Sequence, residues 1–159
     1  LAAIRALGSN RDPLTELSEV IVSQRLDAEK AGNRNQKGWD LERRDDGSTV
    51  EVKSVSNRSN CFKNGILIKF PPTTTASHHD ALAVVVILDF LPQMILVFNE
   101  DSAKQCYKSL KKRKCKSVEK HELVELTAVN LRDIYQRNLD LSEWGVCVIP
   151  LPEKWNTQT

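Results

Sequence analysis

The sequence predicts an α/β domain with a central sheet covered by helices. Three observations carry that expectation. Apolar residues recur at helical spacing near the start, a β-branched run follows an Asp-Gly turn, and an unbroken apolar octet has the length of a buried strand. At 159 residues and 18.0 kDa, the chain is expected to form one domain over residues 1–159. A domain of that size buries a full core without disulfides or metal.

The elements follow in order. Asp12-Pro13 has the form of an N-cap with proline at the first helical position. Leu14, Leu17, Val20 and Ile21 then repeat at helical spacing, which predicts a helix to about Glu29, closed by Ala31-Gly32-Asn33. Asp45-Asp46-Gly47-Ser48 separates two short runs and signals a hairpin. Its second strand, Thr49 to Val55, puts Val50 and Val52 on one face and Glu51, Lys53 and Val55 on the other. Ser56 to Lys63 is polar and loop-like, Gly65 to Phe70 is a short apolar segment, and Pro71-Pro72 interrupts any regular element. Ala81 to Leu88 is apolar throughout, as a central strand covered on both faces would be. Leu91-Pro92-Gln93 is expected to turn it into a neighbour, Met94 to Phe98. Helices are expected over Ser102 to about Lys112 and over about Val129 to Asn138, and a late strand over Gly145 to Ile149.

Composition excludes several classes of protein. Apolar residues at 40% and charged residues at 28% fit neither a disordered nor a fibrous chain. The octet Ala81–Leu88 is too short to cross a bilayer, so no membrane is expected among the partners. Lys and Arg total 23 against 21 acids, a formal net charge of +2, so nucleic-acid affinity must come from local clustering. The chain opens on Leu1, as a processed or excised segment does, and Leu1 to Leu7 is too short for a signal-peptide core. Cys61, Cys106, Cys115 and Cys147 show no C-x-x-C spacing and are expected to be reduced thiols, which points to a cytoplasmic site of action.

The chemistry concentrates in Lys37-Gly38-Trp39-Asp40 and in Glu51-Val52-Lys53 across the hairpin. Adjacent strands bring two carboxylates and one ammonium to a small patch. Phosphodiester hydrolysis uses that set: hard oxygens hold Mg²⁺, the metal acidifies water, and a lysine stabilises the developing anion. A strand with one wet face alternates acid and lysine in the same way, and that plainer reading stands beside the catalytic one. The β-branched strand, the preceding turn and the acid on the neighbouring strand favour catalysis.

Asp40, Glu51-Val52-Lys53 and the preceding Gly38-Trp39 resemble the PD-(D/E)XK nuclease superfamily, whose restriction endonuclease-like core runs helix, three-strand meander, helix, strand. The resemblance covers about 14–99 and leaves about 100–159 as a C-terminal elaboration. It implies a central mixed sheet flanked by helices, Asp40 and Glu51 as metal-binding acids, the Val52 carbonyl facing the metal, and Lys53 as the catalytic lysine. Glu19 is similar in position to an additional acid on the first helix, with Glu16 as its competitor and a solvated helix face as the plainer reading. The proline that commonly precedes the first acid is missing here.

Lys37 is expected either to reach a phosphate near the cut or to be ordinary surface lysine. Asn57 and Arg58, just after the catalytic strand, are candidates for base or phosphate contact. Eight basic residues lie between Lys104 and Lys120, among them Lys111, Lys112, Arg113 and Lys114, with Glu119 the sole acid. Such density suits a phosphate-tracking surface better than a helix end alone. His78-His79-Asp80 is expected to be a strand-entry loop, and Trp144 and Trp155 to be packing residues.

These readings converge on a Mg²⁺-dependent endonuclease, with Mn²⁺ as a substitute; the resemblance implies DNA as the substrate, RNA stays open from the residues alone, and a restriction-type enzyme is one setting. Cutting both strands is simplest with two sites, so a homodimer is expected. A non-catalytic nucleic-acid or interaction module on the nuclease fold is the alternative, and a plain α/β scaffold the third reading.

Overall fold

The computed structural model describes residues 13–31, 39–56, 66–71, 74, 76, 78–109, 112–114, 122–126 and 141–151. Among these residues there are two helices, α1 (Pro13–Arg25) and α2 (Glu100–Ser109), with a 3₁₀ turn at Leu141–Trp144. The strands are β1 (Ala28–Lys30), β2 (Leu41–Arg43), β3 (Thr49–Ser56), β4 (Ile66–Ile68), β5 (Ala81–Leu88), β6 (Leu91–Phe98), β7 (Lys112–Lys114), β8 (Glu122–Leu126) and β9 (Cys147–Pro150). Six of them form a mixed sheet in the order β1-β2-β3-β5-β6-β9, and β4-β8-β7 form a second sheet. The class is α/β, as expected.

Helix α1 ends at Arg25, earlier than its periodicity suggests. Leu26 N–H still reaches Val22 O at 2.9 Å, but Asp27 has φ +49°, a left-handed conformation that Asp tolerates better than most residues. The chain then reverses, and Ala28–Lys30 pair with Arg43–Leu41 instead of extending the helix. The inward residues of α1 are Ser18, Glu19, Ile21 and Val22, whereas Val20 is 40% exposed. The stripe is therefore rotated toward Glu19 from the one the apolar residues suggested.

The expected hairpin joins β2 and β3. Arg43 N–H donates to Ser48 O, Gly47 N–H to Arg43 O, and Ser48 N–H to Asp46 Oδ1. Gly47 takes φ +71°, where a glycine avoids the Cβ penalty. Ser48 holds the Asp46 carboxyl below the usual aspartate range by these hydrogen bonds.

Strand β5 is central, parallel to β3 and antiparallel to β6. Leu82 through Ile87 are all buried, which the continuous apolar octet required. The described residues between β3 and β5 contain β4 and no helix, where the resemblance implied one. Ile66–Ile68 instead pair with Val124–Leu126 of β8. The turn after β5 also differs from the expected one. Asp89 and Phe90 carry φ +49° and +68°, the positive-φ pair of a tight two-residue hairpin. Leu91-Pro92-Gln93 thus belong to β6, with Pro92 opposite Ile87 beyond a register shift.

Helix α2 begins at Glu100, two residues before the expected start at Ser102. Asn99 Oδ1 accepts Ser102 N–H at 2.8 Å, and Ser102 Oγ accepts Asn99 N–H at 2.9 Å. This reciprocal cap satisfies two donors that a helix start leaves open. Asn99→Ala is expected to cost about 1 kcal/mol in urea denaturation, with Asn99→Asp close to wild type; equal loss in both would place the effect elsewhere. Helix α2 stops at Ser109, and Lys112–Lys114 pair with β8 as a strand instead of closing the helix. The expected helix at 129–138 lies outside the described residues. The late strand occupies Cys147–Pro150, with Gly145 at φ +80° ending the 3₁₀ turn before it.

Apolar residues cover both faces of the large sheet. Ile21, Val22, Leu41, Val50, Val52, Ala83, Val85, Ile87 and Ile95 form the cluster under α1. Val55, Leu82, Val84, Val86, Leu96, Phe98 and Cys106 form the cluster on the opposite face, against which Trp144 packs. Cys106 and Cys147 are free, and burial pushes the Cys106 thiol up to about 12, so it is inert. Cys61, Cys115 and Trp155 lie outside the described residues. No helix among the described residues is long and apolar enough to cross a membrane.

Candidate active site

The site begins with a local irregularity at the end of β2. Leu41 is the register partner of Val50, yet Asp40 N–H also donates to Val50 O at 2.9 Å. Two residues therefore face one, as in a β-bulge, which bends a strand and re-aims a side chain. The bond from Trp39 Nε1 to Glu42 Oε1 at 3.3 Å agrees with this. Residues three apart lie on opposite faces of a regular strand, and one extra residue brings them to the same side.

The bulge turns the Asp40 carboxylate toward β3, where Oδ2 accepts Val52 N–H at 2.8 Å. Val50 O and Val52 N–H both point to the β2 side of β3, so by alternation the Val52 carbonyl does as well. Asp40 thus takes the place of a ladder partner that β2 is too short to supply. It precedes β2, in a bend, rather than lying within that strand.

Glu51 and Lys53 occupy one face of β3, with Lys53 Nζ 3.3 Å from Glu51 Oε1. Strand β3 is internal to the sheet, and the Glu51 side chain is only 20% exposed while Lys53 stands half in solvent. Burial raises the Glu51 pKa, repulsion from Asp40 raises it further, Lys53 opposes both, and Glu19 adds to the rise. Two other carboxylates, those of Asp40 and Glu19, therefore act on Glu51 at this end of the sheet.

Glu19 is 2% exposed, so it does not sit on a solvated helix face. It flanks the inward stripe of α1, and α1 packs on β3 and β1. Glu16 and Glu19 both approach Lys30, at 3.4 and 4.0 Å from its Nζ. Lys30 carried no signal in the sequence, because its segment read as the last turn of a helix. Its pairing with Leu41 in β1 brings it here.

The described part of the chain brings Asp40, Glu51, Val52 and Lys53 together, whereas Glu19 lies on α1, over the face of β3 that carries Val50 and Val52, and acts on Glu51 through its charge. Lys37, Asn57, Arg58 and Lys111 lie outside the described part. Lys112, Arg113 and Lys114 form β7, in the second sheet, and their side chains are outside it too. His78-His79-Asp80 leads into β5, where Asp80 Oδ2 accepts Thr49 N–H at 2.9 Å and His79 is buried beside Phe70. Among the described residues no three His, Cys, Asp or Glu side chains group as a metal site. The expected ligand set contains two carboxylates and a carbonyl, all hard oxygens of the kind Mg²⁺ takes.

The raised pKa makes Glu51 a source of strain. A carboxyl that binds its proton more tightly folded than unfolded loses stability as pH rises from the ordinary glutamate value through the raised one. Glu51→Gln is accordingly expected to raise Tm at pH 7.5, with the gain shrinking at about pH 4, where the wild-type group is protonated. A gain of the same size at both pH values would sink this account.

No family model matches this chain, and no curated protein matches it in sequence.

Proposed function

We propose that this chain is a Mg²⁺-dependent endonuclease that hydrolyses phosphodiester bonds of DNA, on a restriction endonuclease-like core of the PD-(D/E)XK type. The observation that carries this reading is the held pair of acids. Asp40 is fixed on Val52 N–H, and sheltered Glu51 stands on the next strand with Lys53 beside it. The helix, the three antiparallel strands and, after β4, a strand parallel to the third support the same core. A wet strand face is a poor account of Glu51, given its burial and raised pKa.

Asp40, Glu51 and the Val52 carbonyl are the groups that would hold the cation, with Mn²⁺ as a substitute. Mg²⁺, when bound, supplies neutralisation of phosphate charge and acidification of water. The Val52 N–H bond orients the Asp40 carboxylate before any ligand arrives. Lys53 presents an ammonium that stabilises charge on the phosphate and orients the attacking water. Water oxygen bonds to phosphorus in line, the P–O3′ bond breaks, and the 3′ oxygen takes a proton, leaving a 5′-phosphate.

The test is cleavage of plasmid, single-stranded DNA and RNA with Mg²⁺, comparing wild type with Glu51→Ala and Lys53→Ala. Metal-dependent cleavage of DNA, lost in both variants, is the expected result, and discrete bands would add sequence specificity. A folded wild type that cuts nothing with Mg²⁺ or Mn²⁺ would instead be a binding module. Action on both strands of a duplex favours a homodimer, so sedimentation showing only monomer under cleaving conditions would count against that arrangement.

A further inference from the structure

We propose that Trp39 is a stacking platform for a nucleobase flanking the phosphate at the Asp40–Glu51 site, an inference that rests on the nuclease reading. Trp39 precedes Asp40 directly, so its Cα lies about 3.8 Å from that of the acid. It is half-buried, yet among the described residues it belongs to neither apolar cluster of the large sheet, whereas Trp144 packs on one of them. An indole beside Asp40 and outside these two clusters is placed to meet a ligand of that acid.

The ring is also held. Its single polar group, Nε1–H, donates to Glu42 Oε1 at 3.3 Å, across the bulge that also aims Asp40. With that edge satisfied, a base would meet the faces of the ring, for which it is a flat apolar partner of matching size. Holding the ring before binding reduces the ordering cost when a base arrives. Because every base has a π-face, such a platform adds affinity and position without selecting sequence. It would keep the strand from sliding along the site while Asp40, Glu51 and Lys53 act on one phosphate.

The experiment is titration of the full chain with a labelled single-stranded oligonucleotide in EDTA, which blocks cleavage. Intrinsic fluorescence and anisotropy are followed for wild type, Trp39→Phe and Trp39→Ala. Stacking predicts quenching in wild type, loss of most of that quenching in Trp39→Phe with affinity nearly kept, and binding about tenfold weaker in Trp39→Ala, within the range for one stacked base. With cleavage restored by Mg²⁺, Trp39→Ala is expected to raise KM more than it lowers kcat. Equal quenching in wild type and Trp39→Phe, or equal affinity in wild type and Trp39→Ala, would overturn the platform and leave the nuclease reading standing. A folded wild type that neither binds nor cuts DNA would overturn both.

Discussion

Glu51→Ala is expected to slow DNA cleavage by on the order of 10³-fold, and Lys53→Ala by about 10²- to 10³-fold. The two losses have different origins. Glu51 is one of only two carboxylates expected to hold the cation, so its removal withdraws several kcal/mol of charge stabilisation from the transition state. Lys53 would contribute one positive charge beside the phosphate, the usual weight of a single electrostatic contact. Their ion pair at 3.3 Å makes the groups interdependent, so the double variant should lose less than the product of the single losses. Raising the Mg²⁺ concentration should recover part of the Glu51→Ala loss and none of the Lys53→Ala loss. Single-turnover rates across a Mg²⁺ series would separate them, and two variants with the same response to Mg²⁺ would contradict the division of roles. Glu51→Gln adds a control, since it should be inactive while at least as stable as wild type at neutral pH.

Phe98→Ala is expected to destabilise the fold by about 3–5 kcal/mol, the largest effect of any core truncation among the described residues. Phe98 is 1% exposed and leads the fully buried side chains in volume. It ends β6, pairs with Leu82 of β5, and lies in the cluster that also holds Leu96 and Cys106. Backbone on both sides of it is tied, by the β5 ladder before and by the Asn99–Ser102 cap immediately after. The surroundings therefore cannot collapse into the space left by the ring, and the cavity adds to the lost transfer energy. Equilibrium denaturation of Phe98→Ala and Phe98→Leu would measure the cost, with Phe98→Leu much milder. A loss under about 1 kcal/mol in Phe98→Ala would mean that the site repacks.

The elements that could be read in advance are those written in local chemistry. Gly47 after two aspartates forces the hairpin, and eight apolar residues in a row have no stable place except a strand covered on both faces. Alternation then puts Glu51 and Lys53 on one face without any tertiary information. Two of the misreadings share one cause. Residues 26–30 kept a helical pattern, but a left-handed Asp27 and the open edge of β2 took them into a sheet. Lys112–Lys114 looked like a helix end, yet β8 offered them a pairing partner. Local propensity differs by only about 1 kcal/mol per residue, so a strand edge in need of hydrogen bonds overrides it.

The amino-acid order by itself determined the α/β class, the hairpin and the shared face of the acid and the lysine, because these depend on neighbours one to four residues away. The packed chain decided what the site feels. The bulge at Asp40, its bond to Val52 N–H, the burial of Glu19 and Glu51, and the arrival of Lys30 each join residues at least ten positions apart. Burial and charge–charge coupling depend on three-dimensional distance and on water that has been excluded, and neither quantity exists until the strands and α1 have closed on one another.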